Sequence, residues 1–190
     1  LNFNPTHIML AINSTDKNEF IERGGESRFV SENICQYPIP KYGKYEYFFA
    51  SSHIVRALFI DILKLDYSLL TKEERIQRKI IAKTAFSTTL QNIKTLCKKK
   101  GILLSIIIHP AHANEIAENI SPIEKWIPKR LQDKNVEIIN LVDYFNKKTG
   151  HGKIETKSFI WPIDSHFNAK GYKIFAEGIL ENSDILKRVF

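Results

Sequence analysis

Sulfur and glycine are scarce in this sequence, and long apolar runs are missing. Two cysteines, Cys35 and Cys97, allow at most one bridge, which excludes a disulfide scaffold and a four-cysteine zinc site. Eight glycines and seven prolines without periodicity exclude a collagen-like chain. A 43% hydrophobic, 26% charged composition excludes a disordered tail. No apolar stretch approaches the roughly 18–20 residues that span a bilayer, so no membrane span is expected. No internal repeat is present. What remains is a globular chain of 190 residues, read as a single domain over 1–190.

The net charge is +7 and the pI about 9.3. Basic residues are spread along the chain, and Lys98-Lys99-Lys100 is the one tight cluster. It falls where a helix should end, and cations there complement the helix dipole. The distribution argues against a nucleic-acid partner.

Strand and helix signals alternate. His7–Asn13 reads as a strand, and a charged stretch with Gly24-Gly25 follows it. Residues 31–47 read as a loop, with Pro38, Pro40, Gly43 and tyrosines at 42, 45 and 47. Ser51 or Ser52 can cap a helix running toward Leu65. Thr71-Lys72-Glu73-Glu74 has the form of a capping box. It opens a helix with Ile76, Ile80, Phe86, Leu90, Ile93 and Cys97 on one face, ended by Gly101. Ile102–Ile108 is short and apolar but for Ser105, as a central strand of a parallel sheet should be. Residues 116–132 read as broken helix, Val136–Leu141 as a strand, and 147–158 as a polar loop. Asn168 is expected to cap a last helix whose apolar positions are Tyr172, Phe175, Ile179 and Leu180. The class is α/β with a largely parallel sheet.

In such sheets ligands bind beyond the carboxyl ends of the strands. Three polar groups fall at such ends or in comparable loops: Asn13–Asp16, His109 and Asp164–His166. His109 and His112 have a metal-pair spacing. No third ligand lies near them and Pro110 breaks the helical spacing, so they read as a loop beside a cleft, with no metal and no cofactor expected. Asp164 and His166 stand two apart in a loop. There the carboxylate can accept the imidazole Nδ1–H and leave Nε2 as a base. Trp161 and Phe167 would shield the pair. Taken alone, Asp-x-His reads rather as a surface loop in which the two side chains pair weakly.

The wider string Asp164-Ser165-His166-Phe167-Asn168-Ala169-Lys170-Gly171-Tyr172 resembles the C-terminal catalytic block of the SGNH (GDSL-like) hydrolases. The family's commonest spacing is Asp-x-x-His, and this chain resembles the branches with Asp-x-His-aromatic-Asn. Pro5–Asp16 resembles the family strand that leads into an Asn whose side chain donates to the oxyanion. Register against Asp16 puts Thr15 at that position, with Asn13 as a substitute; turn chemistry explains Asn13 equally well. The resemblance implies a three-layer α/β/α sandwich with a parallel sheet, flavodoxin-like in layout, and a Ser-His-Asp triad completed by His166 and Asp164. It implies an acyl-ester hydrolase acting on a small-molecule or glycan ester. If a sugar hydroxyl replaced water, the same residues would make an O-acyltransferase. The rival from another class is a non-catalytic α/β binding domain that lost its nucleophile.

The family's Gly-Asp-Ser block is absent from these residues, and Ser51-Ser52 has no glycine elbow. The chain begins at Leu1, close to a strand-like run, and reads as the C-terminal part of such a domain. The expectation is that the nucleophile and the first strands lie upstream. The strand at 7–13 would then be a sheet edge, filled by an upstream segment of the same protein or by a second chain.

Overall fold

A computed structural model describes residues 4–23, 29–31, 34–35, 52–63, 71–151, 156–161 and 166–189. The chain divides into two compact units, one of Leu1–Asp16 with Ser87–Phe190, the other Lys17–Phe86. Gly24-Gly25, most of the loop read at 31–47, Ser51 and Asp164 lie outside the described residues.

The first unit is built on a three-stranded parallel sheet flanked by helices. Its strands are β1 (His7–Ile12), β4 (Leu103–Ile108) and β5 (Val136–Asn140), in the order β1-β4-β5. The register pairs Ile12 with Ile108 and Ile108 with Asn140, so the three carboxyl ends finish level. The apolar run at 102–108 is the central strand, as its composition requires: residues 104–108 are all buried. Side chains alternate along it. Ile107 and Ile139 face a core formed with Ile116 of α4 (Ala113–Glu118), Phe145 of α5 (Val142–Lys148), and Ile174 and Ile179 of α6 (Ala169–Asn182).

Polar residues on the same sheet face form a second anchor. Glu137 Oε1 accepts from Ser105 Oγ at 2.5 Å and Ser183 Oγ at 2.6 Å. Oε2 accepts from the amides of Asp184 and Ile185, the start of α7 (Asp184–Val189). His7 Nε2 lies 2.7 Å from Ser105 Oγ, whose proton goes to Glu137, so the imidazole donates. Three strands and the last helix are thus tied through one carboxylate.

The second unit contains α2 (His53–Arg56), which runs on into a π-helical turn at Ala57–Ile62, and a short antiparallel pair, β2 (Phe29–Ser31) with β3 (Ile34–Cys35). β3 and the last residue of β2 fall in the segment read as loop; two to three residues carry too little pattern to register. Ser52 accepts from Val55 N at 3.3 Å and caps α2, as expected. Helix α3 (Lys72–Lys100) has the expected capping box: Thr71 N donates to Glu74 Oε2 at 2.8 Å, and Glu74 N to Thr71 Oγ1 at 3.2 Å. Gly101 ends it with φ +68°, and the Ile102 amide reaches back to the Cys97 carbonyl at 2.9 Å.

Several expectations need correction. Burial on α3 takes in Ala82, Phe86, Leu90 and Cys97, whereas Ile76 and Ile80 are about half exposed; the apolar stripe extends past the turns that find a partner. Cys97 is a free thiol in that stripe, and burial raises its pKa. On α6 the buried face is Gly171, Ile174, Gly178 and Ile179. Tyr172 and Leu180 are exposed, since a one-residue step turns a side chain by about 100°. The stretch after Asn13, read only as charged, is helix α1 (Ser14–Arg23). Among the described residues no helix is long and apolar enough to cross a membrane.

Burial would raise the Glu137 carboxyl, but the bonds from Ser105, Ser183, Ile185 and Asp184 outweigh it and hold the pKa below the usual range. Folding therefore favours the ionised form. Its contribution is complete above the unfolded-state value of about 4.3 and is lost as pH falls through the folded value. Glu137→Ala leaves two buried serine hydroxyls without their acceptor and should cost about 3 kcal/mol at pH 7. Urea unfolding at pH 7 and at pH 3 checks both points: the gap between native and variant narrows at the acid pH.

Candidate active site

Because the strands end level, the residues after them come side by side. His109 N donates to Ile12 O at 3.0 Å, which sets His109 next to Asn13. Asn13 opens α1 with a capping box. Its Oδ1 accepts from Thr15 N at 2.8 Å, while Asp16 Oδ2 accepts from Asn13 N at 2.8 Å. Thr15 Oγ1 also donates to Asn13 Oδ1, at 2.6 Å. With Oδ1 committed twice, the Asn13 amide nitrogen points to His109 Nε2 at 3.3 Å. His109 Nδ1 lies 3.1 Å from Pro110 O, which can only accept, so the proton is on Nδ1 and Nε2 accepts from Asn13. Burial holds the His109 pKa below the ordinary histidine value, against the opposing effects of the Pro110 carbonyl, Asp16 and Glu115.

A buried carboxylate braces this corner from behind. Glu115 accepts from Ser14 Oγ and, at 2.9 Å, from Ala111 N. It joins the first turn of α1 to the loop after β4, and 4% of its surface is exposed.

His166 arrives from the other end of the chain. Residues 159–161 and 166–168 form a small antiparallel pair: Trp161 N donates to His166 O at 2.7 Å, Asn168 N to Phe159 O at 3.1 Å, and Ile160 bridges Phe167. In extended chain successive side chains alternate. Phe167 turns into the core, stacked on Phe145 at 4.9 Å and packed on His109 at 5.5 Å. His166 therefore turns outward. Trp161 is 55% exposed for the same reason: its neighbour Ile160 is the inward residue. Asn168 caps α6 as expected, accepting from Lys170 N and Gly171 N.

Asn13, Thr15, His109, His112 and His166 line one cleft of about 640 Å³ with Phe167, Tyr172 and Phe175. Asn13, Thr15 and His166, singled out in the sequence, are thus brought together. Asp164 lies outside the described residues. Thr15 spends its hydroxyl proton on Asn13, which leaves Asn13 as the side chain with an amide hydrogen to offer. His109 was read as a neighbour of the cleft and is bonded into it. Its sequence signal is its position directly after the most buried strand. Tyr172, read as core, is a cleft wall. Among the described residues no group of three His, Cys, Asp or Glu side chains could hold a metal ion. Comparison of the chain with protein-family models, curated proteins and solved structures finds no match.

Gly171 lets α6 approach the His166 segment. A Cβ there would fall well inside contact distance of Phe159 O and 2.9 Å from Phe167 Cβ. Gly171→Ala should push the 159–161/166–168 pair off α6 and cost about 1–3 kcal/mol. Thermal unfolding measures the loss, and His166 ring resonances should shift in the folded variant while those of His7, at the opposite end of the sheet, do not.

Proposed function

We propose that this cleft is the acyl-transfer site of a serine ester hydrolase of SGNH type. Support comes from the meeting of Asn13 and His166, drawn from opposite ends of the chain, in one cleft at the carboxyl ends of parallel strands. In this reading His166 Nε2 takes the proton of a serine hydroxyl as its oxygen attacks the ester carbonyl. Asp164, two residues earlier, holds the Nδ1 proton and stabilises the imidazolium. The carbonyl oxygen becomes an oxyanion, and the free amide hydrogen of Asn13 faces it. Collapse expels the alcohol, which takes the proton from His166, and water repeats the sequence to release the acid.

In this proposal the serine comes from outside residues 1–190, because the family's Gly-Asp-Ser block is absent from this sequence. Ser14, beside Asn13, is buried and gives its proton to Glu115, away from the cleft lining. Among the described residues β1 pairs with a strand on one side alone, that of β4. An upstream strand bearing the serine would pair along its other edge. Tyr172 lines the cleft with 56% of its surface exposed and offers an aromatic face against which a sugar ring can stack. That favours a glycan acyl ester as substrate and a sugar hydroxyl as an alternative acceptor to water.

In the full-length protein, His166→Ala should cut turnover of a short p-nitrophenyl ester by about 10⁴–10⁶ with the fold retained. Asp164→Asn should also lower turnover strongly, through the wrong imidazole tautomer. Near-native turnover in a folded His166→Ala protein would overturn the assignment. Release of acid or of acylated sugar, read by mass spectrometry, separates hydrolase from acyltransferase. A full-length protein that binds acylated glycan without turnover would be the binding domain instead.

A further inference from the structure

The bonds around Asn13 assign a role to a residue outside the proposed triad. We propose that His109 is a positioning residue for Asn13: neutral, it holds the Asn13 amide toward the cleft, and protonated, it releases it. The proposal deepens the reading of Asn13 as the oxyanion donor and rests on it.

Asn13 has two acceptor sites on Oδ1 and two amide hydrogens. Thr15 N and Thr15 Oγ1 fill the oxygen. His109 Nε2 takes one hydrogen, and the other has no acceptor among the described residues. The arrangement allows one orientation of the amide. Turning it over would set the amide nitrogen against the Thr15 N–H and break the cap of α1. His109 is itself fixed, by its Nδ1–H on Pro110 O, its backbone N–H on Ile12 O, and the rings of Phe167 at 5.5 Å and Phe175 at 5.6 Å.

Protonation of Nε2 sets an N–H against an N–H. Either the amide turns over and loses the Thr15 bonds, or Asn13 moves away from His109. Both remove the free amide hydrogen from its place. The charged and titratable groups facing His109 are Asp16 on α1, Glu115 on α4, and His112, His166 and Tyr172 around the cleft. The two carboxylates favour the imidazolium, but each already accepts other protons: Asp16 from Asn13 N, Glu115 from Ser14 and Ala111. Burial prevails and keeps the ring neutral, so the amide is held above the lowered His109 pKa and released as pH falls through it.

The test uses the full-length protein, native and with His109→Gln or His109→Leu. Gln can still accept from Asn13 but cannot titrate; Leu can do neither. In ¹⁵N spectra of the native protein His109 Nε2 should carry no proton at pH 8. The Asn13 side-chain amide signals should move on acidification with the midpoint of His109, and lose that titration in His109→Gln. Turnover of a short ester at pH 8 should fall about 10–100-fold in His109→Leu and recover to within about fivefold of native in His109→Gln, in kcat more than KM. The acid limb of the kcat profile should lose one ionisation in His109→Gln. An Asn13 amide indifferent to His109, or identical acid limbs in native and His109→Gln proteins, would overturn the proposal; the native spectra decide this even if the Leu variant fails to fold. If the Asn13 amide follows His109 while Asn13→Ala leaves turnover intact, the coupling stands and the oxyanion role of Asn13 falls.

Discussion

The parallel register of β1 and β4 is the constraint on which the site depends. It ends with His109 N donating to Ile12 O, which places the first residues beyond the two strands side by side. One of these is an amide, the other an imidazole, and their contact follows from the pairing of two apolar strands. A shift by one residue would turn every side chain of β1 to the other face and separate Asn13 from His109. The pairing of His7 with Ser105, itself held by Glu137, opposes that shift, because a slipped β1 would part the imidazole from its partner. Pairing within the sheet thereby sets polar chemistry at its end.

A second constraint of the same kind fixes His166. A short extended pair holds its backbone, and Phe167 beside it is drawn into the core against Phe145 and His109. The aromatic anchor places its neighbour, and Gly171 lets the helix close under it. His109 thus touches both halves of the cleft, through its nitrogen to Asn13 and through its ring to Phe167. Changes in the core near Phe167 and changes in the cap of α1 reach the cleft through the same imidazole.

The sequence made legible those features with a local physical signature. The capping box at Thr71–Glu74, the Gly101 stop, the Asn168 cap and the largely apolar central strand each depend on residues within a few positions of one another. Helix α1 had such a signature too, Asn13 followed three residues later by Asp16. The stretch after it, Ser14–Arg23, has just two large apolar residues, Phe20 and Ile21, too few to mark a helical stripe. The bond between Asn13 and His109 depends on which strands are neighbours and at what register, which no local pattern encodes. The same holds for Glu137, whose partners Ser105 and Ser183 become visible only once strands and terminal helix are assembled. The exposure of Ile76, Ile80 and Tyr172 was hidden for a related reason. Periodicity marks an apolar stripe, but tertiary packing decides which part of the stripe is covered.

Two readings of Asn13, as turn chemistry and as an oxyanion donor, competed in the sequence because both were assigned to one residue. On the proposed reading they fall on different atoms. The cap uses Oδ1 and the backbone N–H. The cleft is lined by the side chain whose amide nitrogen meets His109. An asparagine can serve both purposes because its two ends are chemically opposite; an aspartate would cap equally well but would present a second acceptor to His109 Nε2 and no hydrogen to the cleft. The cap also makes the donor rigid: with Oδ1 held by two bonds from Thr15, the amide has no freedom to turn while His109 is neutral. Helix initiation and amide orientation are consequently a single event, set by the residue that ends β1.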